Sequence, residues 1–488
     1  MKWKSDKYFR NVVLFSVLLI SLLMHFPHFS KELMSNHSWR QTQTQSTIIS
    51  FYEEDMNILH PRRNDRGDTD GIFRMEFPLM QWLVACCYKI FGNHLVITRI
   101  FMFVIGLFSI LGMYQLLLAV FHNETLSLIG AWAFNFSPSF FYYTINPLPD
   151  NMALCCSVWG IALFFKWYQS SSIKHLLGSG VLLSIGALTK LPFIVYYIVP
   201  LLHFLTTIVL KRKTSKKTAI EALGILGFSI LPILWYFSVM PEWGSNVVKK
   251  GVLAGHEPLS AVLNYILYNL TSVLPEMLLN YGSVVFFLAG FYFLFRRKAH
   301  SDPRFPLFLA WSIAVAVYYL FEANAIAKVH DYYLFPFYPL LFILVAYGAS
   351  CLFELRLGIA RYMTYFLLLV LPVICFFRMQ DRWNPDAPHF NKDLLTFKNE
   401  LRNAVPKNSL VVAGNDVSHF IFFYYIDKKG WGYDSDYLTV QELKIMIEKG
   451  AEYLYTDSGN IDGNAEIASC LDKLILEKGS IRVYRLKR

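Results

Sequence analysis

Residues 174–217 read KHLLGSGVLLSIGALTKLPFIVYYIVPLLHFLTTIVLKRKTSKK. The apolar part, 175–210, is too long for one ordinary membrane span of about 20 residues and short for two. Lys190-Leu191-Pro192 interrupts its middle. Charge decides the reading. Lys174 precedes the run, and Lys211, Arg212, Lys213, Lys216 and Lys217 follow it. One span would put these clusters on opposite sides of a membrane. Two spans put both in the cytoplasm, where Lys and Arg of short loops accumulate. The stretch is therefore a hairpin of two helices, with Lys190 at its outer tip.

The same logic extends along the chain. Spans are expected near 11–28, 96–119, 126–145, 151–167, 175–189, 191–210, 219–239, 280–295, 305–322, 332–353 and 361–378, eleven in all. Alternation puts the N-terminal Lys cluster (Lys2, Lys4, Lys7, Arg10), Arg296-Arg297-Lys298 and Arg356/Arg361 inside. It puts 29–95, 146–150, 240–279, 323–331 and the tail from Met379 outside. The first apolar run, with no small-residue cleavage site after it, reads as an uncleaved span rather than a signal peptide.

Composition agrees. The chain is 55% hydrophobic and only 16% charged, against about 25% charge in a soluble domain. This excludes a soluble enzyme, a disordered chain and a disulfide-stapled module. The net charge of +10 follows from topology, and no basic helix interleaved with stacking aromatics points to nucleic acid. Six of the seven cysteines lie in apolar segments, and none has the spacing of a zinc or redox site. The fold class is an all-α polytopic membrane protein, residues 1–378, followed by a small soluble α/β domain, 379–488. In that tail, 392–405 has helical periodicity, Ser409–Ala413 and Glu452–Tyr455 read as buried strands, and Thr439–Lys449 as a helix begun by Thr439 with Glu442 three residues on. The tail has no Gly-rich phosphate loop, so support or acceptor docking is its expected role.

Chemistry concentrates at the outer ends of the spans. The segment 29–95 is long for a loop, and long loops in compact proteins carry function. Gln41–Tyr52 and Pro78–Phe91 are expected to form interfacial helices in it. Between them lie Asp65, Asp68, Asp70 and Glu76 with Arg62, Arg63, Arg66 and Arg74. The aspartates read equally as a solvated loop with weak ion pairs. Glu76 precedes Phe-Pro-Leu at the edge of an apolar helix, where a carboxylate is costly without a task or partner. Asp150, in Asn146-Pro-Leu-Pro-Asp150, reads either as a helix cap or as a site acid. Lys190 reads either as a snorkelling lysine or as a holder of a lipid phosphate. His330-Asp331-Tyr332-Tyr333, with Lys328 before it, carries more polarity than an aromatic belt needs. Carboxylates and cations from separate parts of the chain thus meet at one membrane face. The spans carry almost no ionisable group at mid-depth, which argues against an ion pathway.

Taken in order, His37-Ser-Trp39-Arg40-Gln41, Met75-Glu76-Phe77-Pro78-Leu79, Pro149-Asp150, Leu188-Thr189-Lys190 and His330-Asp331-Tyr332-Tyr333 with Pro336 and Pro339 resemble a known set. The chain is similar, over about residues 10–350, to the polytopic C-type glycosyltransferases. This group includes dolichyl-phosphate-mannose protein mannosyltransferases and bacterial lipid A aminoarabinose transferases. The resemblance implies a polyprenyl-phosphate-linked sugar as donor and an acceptor (glycolipid, polysaccharide or protein) on the outer face. With that reaction, Glu76 is the expected general base for the acceptor hydroxyl, with Asp150 or an aspartate of 65–70 as the alternative. The resemblance further implies His37, Trp39, Arg40, Gln41, Gln43, Asp68, Asp70, Lys190, His330, Asp331, Tyr332 and Tyr333 as substrate-binding residues. Many members of the branch carry Asp two residues after the Trp-Arg-Gln run. Here that residue is Gln43, which cannot act as a base, and the role moves toward Glu76. No compact ligand cluster indicates a metal, and no cofactor is expected. Asn36-His-Ser and Asn269-Leu-Thr would be sequons in an endoplasmic reticulum protein, while the branch resemblance favours a bacterial inner membrane with the tail in the periplasm. A lipid-linked sugar flippase and a non-catalytic partner of a transferase stay open as alternatives.

Overall fold

The computed structural model describes residues 7–210, 215–243, 257–328, 330–355 and 358–487. Lys2, Lys4, Lys211, Arg212, Lys213 and Arg356, on which part of the topology reading rests, lie outside the described residues, as do 244–256 of the expected outer segment.

The chain is about 70% helical. Its first eight helices are α1 Lys7–His25, α2 Ser38–Glu53, α3 Leu79–Phe91, α4 Leu95–Phe121, α5 Glu124–Asn135, α6 Pro138–Tyr143, α7 Pro149–Ser170 and α8 Ile173–Thr189. The deciding stretch divides as its charges require. Helix α8 stops at Lys190, whose backbone is extended (φ −154°, ψ 114°). A 3-10 turn, Leu191–Tyr197, and a helix, Ile198–Leu205, follow. Pro192 lies in the first turn of that new start, where its missing N–H costs nothing. Helix α8 packs tightly on α7. At Gly186 an added Cβ would collide with the Ser157 hydroxyl and meet the Ala153 carbonyl at 3.1 Å. Small residues permit such backbone approach between apolar helices.

Among the described residues, six helices are long and apolar enough to cross a membrane: Arg10–His28, Leu95–Phe121, Leu191–Val209, Lys216–Trp243, Asp331–Glu354 and Gly358–Trp383. The pair Leu259–Leu278 and Gly282–Arg296, bent by 112°, makes a seventh if taken as one broken span. The expected count of eleven is therefore not reached by these criteria. Segments 175–189 and 305–322 are shorter apolar helices, Ile173–Thr189 and Phe305–Phe321. Segment 126–145 divides into α5 and α6 before Pro138 and is buried for most of its length. The expected outer segment 240–279 also differs. Its described part folds into the apolar helix Leu259–Tyr268 and its continuation Asn269–Leu278, whose polar Asn269 and Glu276 and internal Pro275 hid it from a search for uninterrupted apolar runs.

Helix ends are tied together at the end remote from Lys190. Arg10 pairs with Glu124 at 2.8 Å, Arg297 with Glu354, and Arg304 donates to the Val120 carbonyl at 2.9 Å. The residues that the charge alternation assigns to one side thus share one end.

The tail forms a five-stranded sheet in the order β2-β1-β3-β5-β4: β1 Leu410–Gly414, β2 Lys429–Gly432, β3 Tyr453–Thr456, β4 Leu471–Lys478 and β5 Ile481–Leu486. Strand β1 runs parallel to β2 and β3, through the helices Ile421–Ile426 and Val440–Glu448, and β5 is antiparallel to β3 and β4. The Thr439–Glu442 capping box is present. Strand alternation sends Val412 and Leu454 to one face. It sends Val411, Ala413, Tyr455 and Val483 to the other, where they join the core that includes Leu33 and packs against Trp39 and Ile49. Tyr425 donates to the Leu33 carbonyl. The sheet's inner face is thereby built onto the segment that begins α2.

The α7–α8 contact sets the position of Lys190. Gly186→Leu is expected to lower stability by about 1–3 kcal/mol through overpacking, read as a fall in the unfolding midpoint of the purified protein in detergent.

Candidate functional site

Helix α2 opens at His37, which stands in the left-handed region (φ 55°). Its polar side chains are buried, and the amide nitrogens of Gln41 and Gln45 find partners while their side-chain oxygens have none. Gln41 donates to the Tyr142 hydroxyl at 3.1 Å and Gln45 to the Tyr88 hydroxyl at 2.7 Å. Tyr88 is itself buried against Thr98 at 2.6 Å, and Trp82 donates to the Met56 carbonyl at 2.8 Å. From this helix Arg40 reaches two acceptors, the Gln43 side-chain oxygen and the Glu76 carboxylate.

Glu76 is held by its own backbone neighbours. Phe77 N–H donates to the Leu188 carbonyl of α8 at 3.0 Å. Trp235 and Trp243 donate to the Met75 and Arg74 carbonyls at 3.1 and 2.9 Å. Burial pushes the Glu76 carboxyl up, but Arg40 and Lys190 outweigh it, and the group sits below the ordinary carboxylate value. It is therefore ionised near neutral pH.

Lys190 meets Asp150 at 3.5 Å, an ion pair too long for a good hydrogen bond. Its ammonium also lies 4.9 Å from the centre of the Tyr333 ring and 5.8 Å from that of Tyr332. Asp150 does not cap α7. The N-cap is Leu148, with no side-chain bond. Asp150 is 1% exposed, and its Oδ2 has no hydrogen-bond partner.

His330 and Asp331 have different surroundings. Asp331 is buried and accepts from the Tyr143 hydroxyl at 2.7 Å and the Ser139 hydroxyl at 2.8 Å. Arg382 and His37 stand 3.6 and 3.7 Å away. This carboxylate knits α6, the start of α2 and the 381–383 turn. His330 stacks on His37 with ring centres 5.0 Å apart and meets the Trp39 ring edge-on at 6.0 Å. Burial, aided by His37, lowers its pKa to about 4. It is neutral near pH 7, with Nδ1–H donating to the Ala325 carbonyl at 2.7 Å, so it offers a ligand no positive charge.

The structure thus brings Arg40, Gln43, Glu76, Asp150, Lys190, Tyr332 and Tyr333 around one place, with His37, Trp39, Gln41, His330 and Asp331 beside it. It does not bring Asp68 and Asp70 there. Asp68 is exposed and faces Lys449 of the tail at 3.6 Å. Asp70, also exposed, accepts from the Ile72 N–H at 3.1 Å in its own turn. Asp65 joins the tail as well, taking the Gly432 N–H at 3.0 Å and His419 Nδ1 at 3.1 Å. Asn64–Gly67 hydrogen-bonds along Gly430 at the free edge of β2. Arg382, Tyr143, Ser139 and Glu322 were not read as site residues from sequence. Arg382 lies in the polar stretch just past the last apolar run, a legible signal; Tyr143 and Ser139 sit inside an apolar run that looks like core, and Glu322 closes another.

Two cavities meet at Glu76. One is an apolar groove of about 660 Å³ whose lining includes Lys190, Leu191, Ile194, Tyr318, Tyr333 and Glu322. The other is a small polar cleft whose lining includes Arg40, Gln43, Arg62 and Arg63. Met75 and Glu76 line both. Among the described residues no three His, Cys, Asp or Glu side chains gather as a metal site.

Residues 76–236 match the family model described as dolichyl-phosphate-mannose-protein mannosyltransferase. No curated protein matches the chain in sequence. Solved structures share the fold. ArnT from Cupriavidus metallidurans in the apo state is 12% identical, with a TM-score of 0.64 over 97% of this chain and 97% of that one. The same protein bound to undecaprenyl phosphate is 11% identical, with a TM-score of 0.62 over 98% of this chain and 97% of that one. The Archaeoglobus fulgidus oligosaccharyltransferase is 14% identical, with a TM-score of 0.59 over 94% of this chain and 70% of that one. The family model thus meets the resemblance read in the sequence over residues 76–236, and the fold is shared with these solved structures.

Two outcomes are expected. Arg40→Met leaves Glu76 as an uncompensated buried carboxylate and should cost about 3–5 kcal/mol. Adding Glu76→Gln should recover part of it, as a double-mutant cycle of unfolding midpoints would report. His419 is raised above its ordinary value by Asp65, against burial, with Asp416 and Asp434 adding to it. Its contribution to the latch between Asn64–Gly67 and β2 is full below the unfolded value and is lost as pH rises through the raised one. Proteolysis of residues 60–75 should therefore quicken from pH 6 to pH 9, and His419→Gln should flatten that dependence.

Proposed function

We propose that this chain is a membrane glycosyltransferase. It moves a sugar from a polyprenyl-phosphate-linked donor to an acceptor hydroxyl at the periplasmic face of a bacterial inner membrane. The observation that carries the reading is the position of Glu76, a charged carboxylate in the wall between a lysine-ended apolar groove and a polar cleft. A polyprenyl tail fits the groove by chemistry, and Lys190 supplies a buried cation where its phosphate would lie. The structure named as bound to undecaprenyl phosphate has the same fold and supports this lipid class. Nucleotide sugars are cytoplasmic, so a site at the outer face needs a membrane-borne donor.

In this reading the acceptor hydroxyl enters from the cleft beside Arg40 and Gln43. Glu76 takes its proton as its oxygen attacks the anomeric carbon. The bond from that carbon to the phosphate oxygen breaks, and the polyprenyl phosphate leaves with the electron pair. Lys190 stabilises the charge that develops there. A single displacement inverts the anomeric centre. Arg40 holds Glu76 in place, and Asp150 holds Lys190. Gln43 stands where the branch often has Asp, so Arg40 draws its negative partner from Glu76 instead. A mannose-like hexose is the expected sugar, from the family model over residues 76–236.

The test is transfer of radiolabel from a panel of polyprenyl-phosphate sugars in membranes expressing the chain. Wild type should label an acceptor. Glu76→Gln should lower the rate by about 10²-fold or more at equal expression; near-normal transfer by this variant would remove Glu76 from the base role.

A further inference from the structure

Glu322 has no part in the mechanism above, and its position, between the helices Phe305–Phe321 and Ala323–Ile326, is unfavourable on two counts. It is 6% exposed, and its Oε2 has no hydrogen-bond partner. It lines the apolar groove, whose neighbouring cation, Lys190, is already paired with Asp150. A buried carboxylate oxygen without a donor costs free energy that a glutamine or leucine there would avoid.

The backbone keeps it there. Glu322 N–H donates to the Tyr318 carbonyl at 2.9 Å, and its own carbonyl accepts from Ile326 N–H at 2.9 Å. The Tyr318 hydroxyl in turn donates to the Tyr333 carbonyl at 2.9 Å. Glu322 is thus fixed in register with Tyr318 and Tyr333, which also line its groove.

We propose that Glu322 accepts hydrogen bonds from hydroxyls of the donor sugar and so selects which sugars the groove takes. The inference rests on the glycosyl transfer proposed above. Of the three parts of such a donor, the tail has no hydrogen-bond donor and the phosphate is repelled by a carboxylate. The sugar hydroxyls remain. The acceptor is excluded by geometry, since the cleft on the other side of Glu76 is not lined by Glu322. A site built to satisfy a substrate hydroxyl rejects analogues that lack it, because its own buried group is then left unpaired.

The experiment measures binding of undecaprenyl phosphate and of undecaprenyl phosphate bearing mannose, glucose or N-acetylglucosamine. The full chain in detergent is used as wild type, Glu322→Gln and Glu322→Ala, with unfolding midpoints as a check on folding. The wild type should bind one sugar-bearing lipid more tightly than the sugar-free one. Glu322→Ala should weaken that lipid by about 10–100-fold and leave undecaprenyl phosphate unchanged, with Glu322→Gln between. Equal losses for both lipids, no loss for the sugar-bearing one, or a wild type blind to the sugar would overturn the role of Glu322 alone. A wild type that binds none of the lipids would overturn the proposed transfer and this inference together.

Discussion

The site depends on a guanidinium that cannot be left alone. Arg40 is buried on a polar helix, and a charge taken out of water persists only with a matched partner. Its partner is Glu76, which comes from the loop after α2, 36 residues beyond Arg40 in sequence. That one pair obliges the loop to return to the helix. The loop can do so because Phe77 is bonded to α8 and the flanking carbonyls to two tryptophans. The position of the groove follows, since α8 ends at Thr189, one residue beyond Leu188, and Lys190 comes next.

The tail acts on the same helix from the other side. Its inner sheet face packs on Leu33, Trp39 and Ile49. Its charged rim takes Glu53 and Glu54 through Lys407 and Lys429, at 2.9 and 2.8 Å. Exposed pairs of this kind contribute little each. The buried apolar contact and the backbone bonds of Asn64–Gly67 along the edge of β2 therefore carry the attachment. An unpaired strand edge is a liability in a soluble domain, and here the loop that carries Glu76 covers it. Support of the loop that carries Glu76 accounts for a domain that has no phosphate-binding loop of its own.

Much of this was legible in sequence for a physical reason. Charge asymmetry around residues 174–217 fixes a two-helix hairpin, and α8 does break at Lys190. The carboxylate at Glu76 was costly where it stood and drew attention for that cost. Asp68 and Asp70 misled because an acidic loop looks the same whether it faces a substrate or a lysine of a neighbouring domain. Asp331 stands among site residues but is bonded to Tyr143 and Ser139, which no local pattern reveals. Glu322 was missed because it closes an apolar helix, where sequence shows a boundary and only the fold shows a cavity. The count of eleven spans is not matched by length and composition among the described residues where helices are bent or divided, at Pro138 and between Leu278 and Gly282, since a run of apolar residues records composition and not the path of the chain.

Charge accounting separates the roles of the two ion pairs. Arg40 makes a direct hydrogen bond to Glu76, whereas Lys190 stands 3.5 Å from Asp150 and leaves Oδ2 unbonded. In the proposed transfer, a phosphate arriving in the groove adds negative charge to a site whose cations are already matched. It must draw one cation from its acid, and the looser pair yields first. Lys190 then turns toward the phosphate, and Asp150 loses part of its counter-charge in a buried place. That cost is recovered if Asp150 takes a proton or a hydroxyl hydrogen bond from the substrates as they close on Glu76. In the proposed transfer the tight pair keeps Glu76 aimed, and the loose pair is the one able to exchange partners.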